Sequence, residues 1–351
     1  MNQLLNRTEC AALRGIAIIG IFLHNYCHWL GGIVRENEYQ FHQRNVDGLQ
    51  YALNHPDLYL PVHLLSFFGH YGVPLFLFLS AYGLVLKYES SPALINGRHY
   101  FDGAWTFIVR HFKKLWLMMF VGFAAFIMVD AVTRGARHYC VSYILGQLAM
   151  VNNLHPLPDQ VIWPGPYWFF GLMIQLYIVY RLLLYRRHWG WTVALMVVCT
   201  AIQMACDPEG AVLNRWRYNF VGGMLPFGFG LLCARLPMQI PKSYAWALAL
   251  ISLMLVYSQS MSYFSWYFVP LMVCAFGFTV VKVLPQRILQ GLAWMGGISA
   301  ALFVCHPITR KIFINLYRGD IYAGLLLYIV SSIALAWLFR EVMDRINQKK
   351  A

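Results

Sequence analysis

Residues 13–26 read LRGIAIIGIFLHNY, a stretch that predicts a membrane-embedded helix carrying two polar side chains. Arg14 and His24 are separated by nine residues, and all nine are apolar or glycine. A charged side chain at the centre of a bilayer costs about 3 kcal/mol on insertion scales, so such residues usually face a cavity, a partner or the membrane surface. Arg14 and His24 are therefore candidates for a functional site.

The composition of the whole chain is that of a membrane protein. Of its 351 residues, 60% are hydrophobic and only 12% are charged, which is too apolar for a soluble domain of this size. No polar or low-complexity tract is long enough to be a linker. The sequence therefore predicts an all-α polytopic membrane helix bundle formed by one domain, residues 1–351. The first apolar run lacks a small-residue cleavage site, so we expect a retained span rather than a signal peptide.

Ten membrane spans are predicted from the apolar runs. The fifth and seventh are short, and the apolar piece from Tyr139 to Val151 is too short to span, so we expect it to lie in the interface or to re-enter. The predicted spans cover residues 10–30, 62–86, 112–132, 166–186, 190–206, 217–235, 243–259, 263–283, 291–312 and 321–340.

The basic residues predict the orientation of these spans. With both termini in the cytoplasm, 17 of the 27 lysines and arginines fall on the cytoplasmic side, nine fall in outer loops, and Arg14 lies within the first span. Because cytoplasmic loops of membrane proteins carry an excess of Lys and Arg, this orientation is favoured. The same bias accounts for much of the net charge of +13, so we expect no nucleic-acid partner.

The eight cysteines indicate no metal site, because they are scattered without a CxxC pair or a zinc-like spacing. Most fall within spans, and we interpret them as small apolar packing residues. Cys27, Cys140 and Cys206 lie near outer ends of spans, where an oxidising compartment would allow them to pair.

Several polar side chains in the spans extend the candidate site. His28 follows His24 by four residues and shares its helix face. His306 precedes Pro307, which indicates either a local break that lines a cavity or a simple kink. The second span contains GHYGVPLFLFLSAYGL, whose small residues would let another helix or a ligand approach the backbone. The candidate substrate-binding residues are His28, Ser80, Trp168, Gln175, His306 and Arg310.

Each of these residues also has a purely structural interpretation. Arg14 lies about a turn inside the cytoplasmic end and could be a snorkelling anchor. His24 could simply bond a neighbouring helix, and Trp168 could belong to the aromatic belt at the membrane surface. The pair is more informative than either member, because ten residues of helix separate Arg14 and His24 by about 15 Å. An activated acyl donor such as acyl-CoA carries phosphates and a thioester at a comparable separation.

Five segments, in this order, resemble the acyltransferase-3 family of integral membrane acyltransferases. The resemblance runs from about residue 9 to 340, and no single motif decides it. The segments are LRGIAIIGIFLH from residue 13, GVPLFLFLSAYG from residue 72, PYWFFGLMIQLYIVY from residue 166, FGFGLLCAR from residue 227 and GGISAALFVCH from residue 296.

The resemblance implies a bacterial cytoplasmic-membrane enzyme. Members of this family transfer an acyl group, commonly acetyl from acetyl-CoA, to a hydroxyl of a carbohydrate or a lipid-linked glycan. It also implies that Arg14 and His24 are essential, and that acyl-CoA is a donor substrate rather than a tightly bound cofactor. We expect the partners to be acyl-CoA, a glycan acceptor and membrane lipids.

The chain departs from the family pattern in two places. The usual spacing between the arginine and the histidine is one residue longer, so here the two side chains point about 80° apart around a regular helix. Either the helix bulges near Gly20 or the site tolerates this offset. The fourth span has Gly171 to Gln175 where many relatives place a glutamate, so a carboxylate role does not carry over.

Our mechanistic expectation is direct acyl transfer, with His24 as the general base and Arg14 holding the donor. We expect a passage lined by the first, second, fourth and ninth spans, open to both sides, with Arg14 at its cytoplasmic mouth. An acyl-histidine intermediate is an alternative, whereas a serine nucleophile is disfavoured because no GxSxG elbow is present. The other functional class that fits buried His and Arg is a transporter or flippase for a glycan or lipid-linked sugar.

Overall fold

The computed structural model describes residues 3–89, 94–95, 98–99, 103–236, 239–314 and 319–348. Two-residue strands form a small antiparallel hairpin, β1 (Leu94–Ile95) and β2 (Arg98–His99). The helices are α1 (Arg7–Cys27), α2 (Gln43–Asn54), α3 (Leu60–Phe68), α4 (Gly72–Tyr88), α5 (Ala104–Val132), α6 (Val141–Leu148), α7 (Pro158–Val161), α8 (Trp168–Val179), α9 (Trp189–Met204), α10 (Ala211–Arg217), α11 (Phe220–Arg235), α12 (Lys242–Ser260), α13 (Tyr263–Trp266), α14 (Val269–Val283), α15 (Gln286–Phe313) and α16 (Ile321–Gln348).

The predicted polytopic helix bundle is confirmed. Among the described residues, six helical segments are long and apolar enough to cross a membrane. The helices α9, α11 and α14 are apolar but shorter, and α12 corresponds to the seventh predicted span. Each of the ten predicted spans thus overlaps a different one of these helical segments, although the eighth, residues 263–283, also includes the short helix α13. The six segments that are long enough are Arg7–Cys27, Leu60–Tyr88, Ala104–Val132, Gly165–Leu184, Gln286–Phe313 and Ile321–Arg345.

Contacts between helix ends show which ends lie together. At one end, the start of α1 meets the ends of α4 and α14: Leu5 N donates to the Tyr82 hydroxyl at 3.1 Å, and Lys282 Nζ lies 3.5 Å from a Glu9 carboxylate oxygen. We call this the inner end, because it is the end that the basic residues predict to be cytoplasmic. Of those basic residues, Arg318, Lys349 and Lys350 lie outside the described part of the chain.

The opposite, outer end is joined by contacts between loops and helix ends. Lys311, near the end of α15, lies 2.7 Å from a carboxylate oxygen of the buried Asp130 near the end of α5. The indole Nε1 of Trp266 donates to the Asn37 carbonyl at 2.9 Å, and the Arg217 guanidinium donates to the Glu38 carbonyl. These contacts fix the loop between α1 and α2 over the outer end of the bundle.

Helix α1 is packed backbone to backbone on two sides. A Cβ at Gly296 of α15 would lie 1.9 Å from the Ala11 carbonyl oxygen, and a Cβ at Gly72 would lie 2.2 Å from the Ala17 carbonyl oxygen. Gly69 likewise meets Gly20, where an added Cβ would lie 2.7 Å from the Gly20 carbonyl oxygen. The small residues at the start of the second span therefore receive α1, as close helix packing requires.

The first helix is regular throughout. An Asn6–Glu9 capping box starts it, and α-helical hydrogen bonding continues from Arg7 to Cys27. The alternative of a bulge near Gly20 is therefore wrong, and the angular offset of about 80° between Arg14 and His24 stands. In agreement with this offset, Arg14 is exposed whereas His24 is buried.

Two smaller expectations concern the outer end. The segment 139–151 contains the eight-residue helix α6, too short to span, as expected. All eight cysteines are free, so the pairing considered for Cys27, Cys140 and Cys206 does not occur in the structure. Five of the eight are buried, as expected for packing residues.

We expect Gly296→Ala to lower the thermal unfolding midpoint of the detergent-solubilised protein. The added methyl group overlaps the main chain of α1, and overpacking of this kind costs about 1–3 kcal/mol. The matched control is Gly291→Ala on the same helix, where an added Cβ would meet nothing within 4 Å. A midpoint that is unchanged in Gly296→Ala would contradict the close contact between α1 and α15.

Candidate active site

A cavity of about 310 Å³ lies at the outer end of the bundle. Its walls come from the end of α1, the loop that follows it, the start of α8 and the second half of α15. Four of the predicted site residues line it: His24, His28, Trp168 and Arg310. His24 and Arg310 therefore lie at the same cavity, although they are 286 positions apart in the sequence.

His24 is held in one orientation by the main chain of α3. Its ring nitrogen Nδ1 lies 2.8 Å from the Ser66 carbonyl oxygen, and only 2% of the residue is exposed. A carbonyl only accepts, so Nδ1 carries the hydrogen, and Nε2 has a free lone pair. Gly69 permits this placement, because a Cβ there would lie 2.7 Å from the Cβ of His24. The free Nε2 is the atom that a general base requires.

Glu36, in the loop after α1, completes a cluster that sequence analysis missed. One of its carboxylate oxygens lies 3.0 Å from His28 Nδ1 and 4.0 Å from His24 Nε2. The rings of His24 and His28 are 4.6 Å apart between centroids. Only one signal was available in the sequence, namely an acidic residue eight positions after His28. Loop carboxylates are common, so this signal alone does not identify Glu36.

The two loop carboxylates at the cavity have opposite electrostatic behaviour. Burial raises the pKa of Glu36, but the electrostatic interaction with the nearby His24 imidazole and the hydrogen bond from His28 outweigh this effect and hold the pKa below its ordinary value. Burial and the nearby Glu36 charge instead raise the pKa of Glu38 to about 8. Of these two loop residues, Glu36 is therefore a carboxylate around neutral pH and Glu38 is a neutral carboxylic acid.

Aromatic rings cover much of the remaining cavity wall. Tyr39 and Tyr218 are stacked with centroids 4.1 Å apart, and the Trp168 ring meets the Tyr39 ring edge-on at 5.4 Å. Trp29 and Trp163 form a second edge-on pair at 6.1 Å. All five residues line the cavity. These rings give the cavity flat apolar surfaces beside its polar groups.

Arg310 places a buried cation at the cavity. It is 5% exposed, its guanidinium lies 3.3 Å from Asn25 Oδ1, and it stacks over the Trp29 ring at 5.0 Å.

His306, one turn earlier on α15, is fully buried and bonds the Leu302 carbonyl through Nδ1 at 3.0 Å. Helix α15 continues through Pro307, so the alternative of a local break there is wrong. His306 is not among the residues that line the cavity.

The other predicted residues lie elsewhere. Ser80 is 3.2 Å from the Tyr177 hydroxyl, and Arg14 is close enough for its charge to act on that hydroxyl. Gln175 bonds Asn219 and the backbone N–H of Phe220, and it lines a different, mostly apolar cavity of about 440 Å³. Arg14 and Ser80 thus belong to a second polar group nearer the inner end. The lining of the outer cavity does not reach Arg14, and the continuous passage stays a prediction.

His24, His28 and Glu36 also have the spacing of a metal site. One donor atom from each residue lies within 4.8 Å of the other two. Two imidazoles and a carboxylate form a ligand set that Zn²⁺ accepts. The sequence-based expectation that the protein binds no metal stays a prediction.

Among known protein families, the model described as an acyltransferase domain matches residues 11–341, nearly the whole chain. No curated protein and no solved structure matches the chain.

We expect the purified protein to hold far less than one metal ion per chain. The Ser66 carbonyl and the His28–Glu36 contact already provide partners for these groups. Dialysis against EDTA should leave the thermal midpoint unchanged, and mass spectrometry of the elements should find no stoichiometric metal. Stoichiometric zinc that His28→Ala loses, and that the exposed control His55→Ala keeps, would contradict this expectation.

Proposed function

The chain belongs to the acyltransferase-3 family and is a multi-pass membrane acyltransferase, and from this premise we propose the reaction that it catalyses. It transfers an acetyl or another short acyl group from cytoplasmic acyl-CoA to a hydroxyl of a carbohydrate or lipid-linked glycan of the cell envelope. The observation that carries the proposal is His24, whose main-chain hydrogen bond leaves Nε2 free beside the outer cavity.

In the proposed reaction His24 acts as the general base. The acceptor hydroxyl gives its proton to Nε2 as its oxygen attacks the thioester carbonyl. The tetrahedral intermediate collapses, the bond to sulfur breaks, and the proton on His24 passes to the departing CoA thiolate. The ester and free CoA are the products, and no covalent enzyme intermediate is needed.

The walls of the outer cavity support a carbohydrate acceptor. The rings of Tyr39, Trp168 and Tyr218 offer flat apolar surfaces for the C–H faces of a sugar. The neutral acid of Glu38 can both donate hydrogen bonds to sugar hydroxyls and accept them. A few polar groups among apolar walls are typical of small-molecule sites.

The donor is proposed to enter from the inner end. Arg14 is exposed there, and an arginine suits phosphate recognition because its guanidinium forms paired hydrogen bonds. The helix places it about 15 Å from His24. Ser80 and Tyr177, which are associated with Arg14, are candidate contacts for the arm of the donor. We place the protein in the bacterial cytoplasmic membrane.

Transfer can be tested directly with purified protein in lipid nanodiscs. We expect labelled acetyl-CoA and glycans extracted from the envelope of the source cells to yield an ester-linked labelled product that mild base releases. Uptake of glycan into proteoliposomes without any acylated product would favour a transporter and reject the proposed reaction.

His24→Ala and Arg14→Ala should fail differently. Loss of a general base should lower kcat by about 10²–10⁴-fold and leave the affinity for acyl-CoA nearly intact. Arg14→Ala should weaken acyl-CoA binding as well, which equilibrium binding of a non-hydrolysable acyl-CoA analogue would measure. The control is Arg287→Ala, which removes another exposed arginine at the inner end. An equal loss of binding in both variants would reject this division of roles.

A further inference from the structure

Glu36 lies where the proposed reaction creates a positive charge. Its carboxylate oxygen is 4.0 Å from His24 Nε2, the atom that receives the proton, and the Glu36 side chain is 16% exposed. We propose that Glu36 is a positioning residue of the acyl-transfer site, which stabilises protonated His24 and holds His28 beside it. This inference rests on the proposed function.

The loop fixes the carboxylate by contacts on both sides of Glu36. Asn45 Nδ2 donates to the Glu36 carbonyl at 2.8 Å, and Trp266 donates to the next carbonyl, that of Asn37. Two residues earlier, the Val34 carbonyl accepts from Ser66 Oγ at 2.5 Å. Ser66 is also the residue whose carbonyl orients His24. The base and the carboxylate are therefore held by the same short segment of α3.

His28 gives the carboxylate a second partner. Its Nδ1 lies 3.0 Å from the same Glu36 oxygen, and its Nε2 is buried and has no hydrogen-bond partner in the described part of the chain. With Nδ1–H donating to Glu36, the other nitrogen of His28 is an acceptor at the cavity wall. His28 thereby keeps the Glu36 carboxylate directed toward the imidazole of His24.

Protonated His24 needs a nearby carboxylate because another positive charge, that of Arg310, lines the same cavity. Arg310 lines the same cavity as His24, and two positive charges in one cavity repel each other. The His70 ring, which also lines the cavity, lies 5.6 Å from that of His24. Glu36 is the acidic group paired with His24 among the described residues. A carboxylate within 4–6 Å of a cation stabilises it by about tenfold to a thousandfold.

The carboxylate acts without adding a step to the reaction. The hydroxyl proton moves to His24 Nε2, the new C–O bond forms, and the C–S bond breaks as before. Glu36 stays ionised throughout, and the proton leaves with the CoA thiol. Glu36 lowers the energy of the state in which His24 is protonated, and it does not change the binding of the acyl donor.

The test compares Glu36→Gln, Glu36→Asp and Glu209→Gln in the full-length protein, with labelled acetyl-CoA and extracted envelope glycan as substrates. Glu209 is the matched control, because it also pairs with a histidine at the outer end, His42 at 3.0 Å, but is 59% exposed. We expect Glu36→Gln to lower kcat by about tenfold to a hundredfold with an unchanged KM for acetyl-CoA. Glu36→Asp should recover part of the loss, and Glu209→Gln should behave as the wild type.

A double-mutant cycle separates this role from a structural one. In the His24→Ala background, Glu36→Gln should change the residual rate by less than about twofold, because the carboxylate acts through His24. The inference is overturned if Glu36→Gln keeps the wild-type kcat, or if it costs as much in the absence of His24 as in its presence. A wild type that transfers no acyl group would reject the proposed function instead. Equal thermal midpoints would show that Glu36→Gln is folded.

Discussion

Direct contact between main chains along α1 is the constraint on which the rest of the structure depends. Helices in a membrane gain little from apolar burial against each other, so their association relies on close packing. Gly296 and Gly72 provide that contact on two sides of α1, and Gly69 extends it to the turn beside His24. These three glycines therefore fix the depth and the rotation of the first helix, and with them the position of His24.

The polar groups of the protein are arranged in two separate environments. At the outer end, a buried imidazole, a buried arginine and an ionised carboxylate share one cavity whose walls include several aromatic rings. Nearer the inner end, Arg14 is exposed and associated with the Tyr177–Ser80 contact. The spacing between Arg14 and His24 is one residue shorter than the family pattern, so the regular helix α1 turns the two side chains in different directions. Arg14 can therefore be exposed while His24 is buried.

The sequence predicted the bundle well, because apolar run length depends only on the hydrocarbon thickness that each helix must cross. It also predicted that His24, His28, Trp168 and Arg310 belong to one site, and the structure brings all four to the outer cavity. It could not place Gln175, which looks equally polar but bonds Asn219 outside the outer cavity. The sequence did not predict Glu36 as a site residue for a related reason, because its position depends on the path of a loop held by Asn45, Trp266 and Ser66. Such contacts leave no periodic pattern in the chain.

The partner of His24 Nδ1 is a main-chain carbonyl, and this has a consequence for how the site can evolve. The orientation of the imidazole is encoded by the course of α3 rather than by the identity of the side chain at position 66. Point substitutions there can remove the Ser66 hydroxyl and its bond to Val34, but they cannot delete the acceptor that selects the tautomer. The direction of the base therefore survives any substitution at position 66 that preserves the course of α3.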